Sequence, residues 1–385
     1  MNKYVIVTLA IIFILLTLLV FWFASSKHTS KPQGGGFLCK SCGSCGPKFC
    51  LIKVHHERAG FFAIMNHVLI GAHMCKQYGM IPVIILDSGP YLETNETFKQ
   101  QYKLTTNNWY EYYFEQPFVK NEHIIRRLTN QPQYPFSIVM IHKMPAESDK
   151  VYLFDDQSLH YVINGMALTL QQYNEAWKHV VKIKPDLVEE CLEYESKLPA
   201  HSRRIGIHYR GTDKYNGPSG GWEHDAIHYE YEFVSKIVQK ESLQDTVLVV
   251  CSDEQPFIDH MKQSMPSIFQ LSTNSLRATV STSGKVFDTK KCDDVPYGSK
   301  EESPECKEYH DLAGQSIHLG MKNESSYKKG KDVLLDILLL SGIYSRWPAA
   351  PNVFYRSRGN ASDFPKRINP SLVEIDMNAQ YWCSP

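Results

Sequence analysis

The chain has 385 residues, and 41 Lys and Arg balance 41 Asp and Glu to a formal net charge of zero. That length points to two domains. The charge balance, with no basic tail, repeat or nucleic-acid module, argues against a nucleic-acid or other polyanion partner.

Residues 4–24 form an apolar run without a charge. As a helix it is long enough to span about 30 Å of hydrocarbon, and it exceeds the apolar region of a signal peptide, roughly 7–15 residues. The expectation is an uncleaved transmembrane anchor over residues 1–24, with Phe21, Trp22 and Phe23 at one membrane interface. A stem follows over residues 25–50, and its first part is rich in Ser, Lys and Gly and so flexible. Lys3 and the amino terminus precede the span and Lys27 and Lys31 follow it, which by charge alone points to a cytoplasmic body or leaves the orientation undecided. The triplets Asn95-Glu96-Thr97 and Asn323-Glu324-Ser325 are glycosylation sequons, and the chain holds ten cysteines. Both features favour a lumenal body, in the Golgi or endoplasmic reticulum.

Cys39, Cys42, Cys45 and Cys50 open like a ferredoxin run, but the last gap is one residue too long, and Leu51 stands where Pro is expected. Disulfides in a secretory stem are favoured there, with zinc and then iron–sulfur as the alternatives. Cys292 and Cys306 flank a polar stretch and form a candidate bridge.

Past the stem, residues 51–54 read as a strand, 60–78 as a Gly-led helix and 81–86 as a strand, which is βαβ logic. Residues 151–154 add a strand, and helices run to Lys197. Leu198-Pro199 marks a boundary between domains at 51–198 and 199–385. The second half repeats the pattern. Strands are expected at 205–208, 247–251, 268–271 and 353–356, and helices at 229–240, 256–265 and 331–340. Together these make an α/β chain of two Rossmann-like halves facing a cleft, the GT-B architecture. His55-His56 invites a metal, but adjacent strand residues point to opposite faces. Asp155-Asp156 and Asp293-Asp294 are adjacent pairs, not an Asp-x-Asp clamp, so no metal site is expected. Tyr110, Tyr112, Tyr113 and Phe114 suit either core packing or stacking on a sugar.

The densest chemistry lies at 208–214: His208, Tyr209, Arg210, Gly211, Thr212, Asp213 and Lys214. An apolar strand empties into this loop, and open α/β sheets bind ligands just outside the carboxyl ends of their strands. Arg210 offers a planar, permanent charge suited to phosphate. Residues 247–254 are a second buried strand, ending in Asp253-Glu254. A helix carrying Asp332 and Asp336 then leads to Arg356-Ser357-Arg358-Gly359-Asn360-Ala361-Ser362, with Asn369-Pro370 beyond.

These three stretches, in this order, resemble motifs I, II and III of the GDP-fucose-dependent fucosyltransferases. That superfamily comprises the core and nodulation alpha-1,6-fucosyltransferases and the protein O-fucosyltransferases. Motif I of the family runs His-x-Arg-Arg-Thr-Asp-Lys; here Gly211 replaces the second Arg. The Gly60-Phe61 stretch, through Asn66, is similar to the Gly-rich loop that opens the family's first helix. The resemblance implies GT-B architecture, a GDP-fucose donor and no metal or other cofactor. It implies that Arg210 stabilises the leaving diphosphate, with Asp213 and Lys214 beside it. It also implies that His208 and Asp336 read guanine and that Ser357, Asn360 and Ser362 hold phosphate. Glu223 and Asp225 are the nearest candidates for the base, and Asp253 is a third candidate or a support of the phosphate loop. The acceptor is a glycan or protein hydroxyl. A transferase using another GDP-sugar and an inactive nucleotide-sugar binder are the alternatives.

Overall fold

The computed structural model describes residues 47–55, 59–119, 122–136, 150–158, 168–200, 203–210, 230–279, 281, 292, 295, 298–314, 324–345, 352–357 and 360–377. Residues 47–385 form one compact unit. The expected anchor, most of the stem and Cys39, Cys42 and Cys45 lie outside the described residues. No helix among the described residues is long and apolar enough to cross a membrane.

The first half opens with β1 (Phe49–Ile52), α1 (Phe61–Gln77) and β2 (Ile81–Ile84). Then come α2 (Glu96–Gln101), α3 (Tyr110–Tyr113), β3 (Phe114–Glu115), α4 (Glu122–Thr129), β4 (Gln133–Pro135) and β5 (Val151–Phe154). Their main sheet has the order β2-β1-β5-β4, with every pairing parallel. α5 (Leu170–Val180), β6 (Lys182–Ile183) and α6 (Pro185–Ser196) close this half. Local sequence sets these helix starts. Thr169 and Gln172 form a reciprocal capping box ahead of α5, and Pro185 occupies the first turn of α6, where its missing N–H costs nothing.

The second half comprises β7 (Arg203–Tyr209), α7 (Tyr231–Gln239), β8 (Thr246–Ser252), α8 (Gln255–Ser264), β9 (Phe269–Leu271), α9 (Pro304–Gly314), α10 (Ser326–Ser341), β10 (Val353–Arg356), α11 (Asn360–Ile368) and β11 (Val373–Asp376). Its parallel sheet has the order β11-β10-β7-β8-β9. Ile205, Ile207 and Tyr209 face the layer of α7 and α8; Arg204, Gly206 and His208 face the layer of α10 and α11. α10 begins five residues ahead of the apolar run that announced it, because the Ser325 hydroxyl caps it by accepting from Lys328 N. It ends at Gly342, whose φ of 63° is the left-handed C-cap conformation that glycine adopts without strain.

Several contacts weld the halves. Arg204 lies 2.7 Å from Glu195, both buried, and donates to the Leu339 carbonyl near the end of α10. Gly330 lets α10 approach α3 closely: a Cβ there would run into the Tyr113 hydroxyl, which donates to Tyr327 O at 2.9 Å. On α11, Phe364 packs on Phe62 with ring centroids 4.4 Å apart, and Arg367 donates to Asn66 Oδ1 at 3.1 Å. From α5, Asn174 Nδ2 donates to the Arg367 and Ile368 carbonyls.

One expectation is corrected here, and one choice between two readings is decided. Cys50 does not belong to a stem cluster; it is a free, fully buried thiol in β1, which begins at Phe49, inside the expected stem. Its apolar neighbours extend the strand backward, and burial together with the Cys50 thiol pushes the pKa of Cys75 up. The aromatic run Trp109–Phe114 is core, each ring at most 2% exposed. The Cys292–Cys306 bridge is present as expected.

Candidate active site

The order of the second sheet places its switch point. The chain steps outward from β7 to β8 to β9, then returns to add β10 and β11 on the other side of β7. The crevice between diverging connections therefore opens at the carboxyl ends of β7 and β10, the general ligand position of such sheets.

His208 stands there, one residue from the end of β7, paired with Arg356 on β10 and Cys251 on β8. It is 7% exposed. The Ser362 hydroxyl, in the first turn of α11, lies 2.7 Å from its Nδ1. Ser357 Oγ lies 3.1 Å from Ser362 Oγ and 3.5 Å from the same ring nitrogen. Ser357 N also continues the ladder beyond β10 by donating to His208 O at 3.1 Å. Burial, reinforced by the neighbouring Arg210 charge, pushes the His208 pKa down to about 3. The ring is therefore neutral at physiological pH. Nδ1 and the Ser362 hydroxyl share one hydrogen bond, whose donor is set by the ring tautomer.

Asp336 belongs to the same face of the sheet. Cys251, the ladder partner of His208, places its Sγ 3.8 Å from Asp336 O. The carboxylate is 7% exposed, not solvent-facing as its mostly apolar helix allowed. Thr273 and Ser275, just past β9, both donate to its Oδ1, the latter at 3.2 Å. Burial raises its pKa to about 6, against the opposing pull of Arg277 and the Thr273 hydroxyl. Polar groups thus follow the carboxyl edge of the sheet, from the serines by β10, through His208 on β7, to Asp336 over β8.

Asp253 follows β8, and its carbonyl accepts from Ala278 N at 2.7 Å. Glu254 bridges to Ala278 and accepts from the Tyr231 hydroxyl. This ties the backbone after β8 to the 273–278 segment that holds Asp336. Thr273, Ser275 and Arg277 went unread in the sequence; their only signal was a polar cluster after a strand. Asp213, Lys214, Glu223, Asp225 and Asn323, like the side chain of Asn360, lie outside the described residues. Gly60 is the N-cap of α1, and its carbonyl accepts from Ala63 and Ile64. The Phe61 ring is 2% exposed inside the aromatic core, while Asn66 holds Arg367. Among the described residues no group of His, Cys, Asp and Glu could hold a metal ion.

No family model and no curated protein matches the chain. Among solved structures it is similar to a NodZ alpha-1,6-fucosyltransferase co-crystallized with GDP. The TM-score is 0.45 at 12% identity, covering 84% of this chain and 93% of that one. Fucosyltransferase NodZ from Bradyrhizobium gives 0.45 and 12%, covering 84% and 94%. A mutant FUT1 from Arabidopsis thaliana in complex with GDP gives 0.40 and 9%, covering 84% and 69%.

Proposed function

We propose that this chain is a membrane-anchored, inverting, metal-independent glycosyltransferase that moves fucose from GDP-fucose to a glycan or protein hydroxyl, using a cleft between its two halves. The observation that carries the reading is the linked His208–Ser357–Ser362 group at the switch point, with the Arg210 charge beside it and Asp336 on the same face. Ser357, just past β10, and Ser362, in the first turn of α11, supply hydroxyl and amide donors for a diphosphate. Arg210 stabilises negative charge on the leaving phosphate as the sugar bond breaks. Asp336 supplies the acceptor that the N1 and N2 protons of guanine need, and a neutral His208 supplies a donor. Offering GDP-fucose, GDP-mannose and UDP-glucose to the protein tests the reading. Turnover of GDP-fucose that persists in EDTA is expected; turnover of UDP-glucose alone, or activity restored only by manganese, overturns it.

A carboxylate that reads guanine must be ionised. With the Asp336 pKa raised to about 6, its charge is present above that pH and lost as pH falls through it. GDP-fucose affinity should weaken by up to about tenfold per pH unit below 6. Calorimetry from pH 8 to pH 5 checks this, because the diphosphate diester of the donor has no proton in that range. Asp336→Asn should flatten the profile at low affinity.

A lumenal body is part of the proposal. Asn95 is exposed at the N-cap of α2, where its Oδ1 accepts from Thr97 N at 2.9 Å. Ser362 of the third formal sequon, Asn360-Ala361-Ser362, is fully buried. Expressed in a eukaryotic secretory pathway, the protein should carry glycan at Asn95 and none at Asn360. Peptide mass spectrometry after glycosidase treatment reads both positions.

A further inference from the structure

The first sheet has a switch point of its own. The chain steps from β1 outward to β2, then returns through β4 to place β5 on the other side of β1. The carboxyl ends of three neighbouring strands gather polar side chains there. Lys53 pairs with Asp87 at 2.9 Å. His55, exposed beyond the end of β1, places Nδ1 2.5 Å from Ser88 Oγ, and its backbone N donates to Asp156 Oδ2 at 3.2 Å. Ser88 is itself fixed, since its carbonyl accepts from the indole N–H of buried Trp109 at 2.9 Å. An exposed imidazole is thus oriented through its Nδ1.

The helix that follows each switch point ties the two crevices together. α1 leaves the His55 loop, and α11 leaves the Ser357 loop. The helices lie side by side in the same direction, because Phe62 meets Phe364 and, a turn later, Asn66 meets Arg367. Their first turns are therefore neighbours: Ser362, two residues before Phe364, touches His208, and Phe62 is the second residue of α1. The carboxyl ends of β1 and β10, which precede these helices in the chain, therefore lie at the same end of the helix pair.

From this juxtaposition we infer that His55 is the general base of the transfer reaction, and that Ser88 is the positioning residue that sets its tautomer. This inference rests on the donor reading above. Nδ1–H donates to Ser88 Oγ, and the lone pair on Nε2 accepts the proton of the attacking hydroxyl. As that O–H breaks, its oxygen bonds the anomeric carbon of the fucose. The bond from that carbon to the diphosphate breaks, and its electron pair leaves with GDP. The imidazolium then returns its proton to water.

The test uses water as the attacking hydroxyl, so no acceptor need be known. Release of free fucose from GDP-fucose is measured for wild type and His55→Ala, with GDP affinity followed by calorimetry. General-base loss typically costs about 10²–10⁴-fold. The expected result is a fall of about 10²-fold or more at unchanged GDP affinity, with partial recovery in added imidazole. A merely structural histidine would give no such rescue. If wild type turns over GDP-fucose and His55→Ala matches it, or its loss resists imidazole, the assignment of His55 is overturned and the donor reading stands. If wild type neither binds GDP nor releases fucose, the donor reading falls, and the inference with it.

Discussion

Arg210→Ala should reduce turnover of GDP-fucose by roughly 10²–10³-fold, the usual cost of about 2.7–4 kcal/mol for one donor aimed at developing charge. Arg210 follows β7 directly, beside the buried His208 ring, whose pKa its charge helps to depress. GDP affinity should fall as well, since the same guanidinium meets ground-state phosphate. Arg210→Lys should recover little, because an ammonium lacks the planar fork that grips two phosphate oxygens. Single-turnover kinetics with GDP-fucose, paired with GDP calorimetry, separates the two effects. Turnover and affinity both at wild-type level in Arg210→Ala would remove this loop from the active site.

Glu195→Ala should be the most damaging change away from the site. Glu195 and Arg204 are both about 2% exposed, and the guanidinium also serves a carbonyl near the end of α10. Removing the carboxylate leaves a buried cation without its partner, which typically costs about 3–5 kcal/mol. Replacing both residues together, as Glu195→Leu with Arg204→Met, should cost much less, because no charge is then stranded. Urea midpoints for the single and double variants decide between these outcomes; equal midpoints for Glu195→Ala and wild type would refute the strong coupling.

In the second half β8 was legible because it is buried on both faces and its apolar run is nearly unbroken, and β7 because Ile205, Ile207 and Tyr209 alternate along one face. The βαβ rhythm of the first half was legible for the same reason. Short elements such as β4 and β11 were not, since these edge strands have no fully buried residue and mix polar with apolar side chains. His208, Ser357 and Ser362 lie at strand ends and at a helix start, where a loop motif announces itself locally. The Thr273, Ser275 and His55 contacts were not legible because their partners are distant in sequence: Asp336 lies 63 and 61 positions from the two hydroxyls, and Ser88 lies 33 from His55. Cys50 misled for the opposite reason. Its spacing matched a cysteine cluster, while burial in a strand decided its state.

The placement of α11 bears on modularity. By sequence this helix belongs to the second half, immediately after β10. By packing it leans on the first: Phe364 on Phe62, Arg367 on Asn66 and its last carbonyls on Asn174. The helix whose first turn holds Ser362 against His208 is thus seated on a foreign foundation. A fragment cut at residue 199 would retain every strand of the second sheet and still lack the floor beneath the helix that carries Ser362. Exchange of halves between related proteins would have to carry α1 and α5 along with α11, so these three helices form a unit of inheritance that crosses the boundary drawn by chain order.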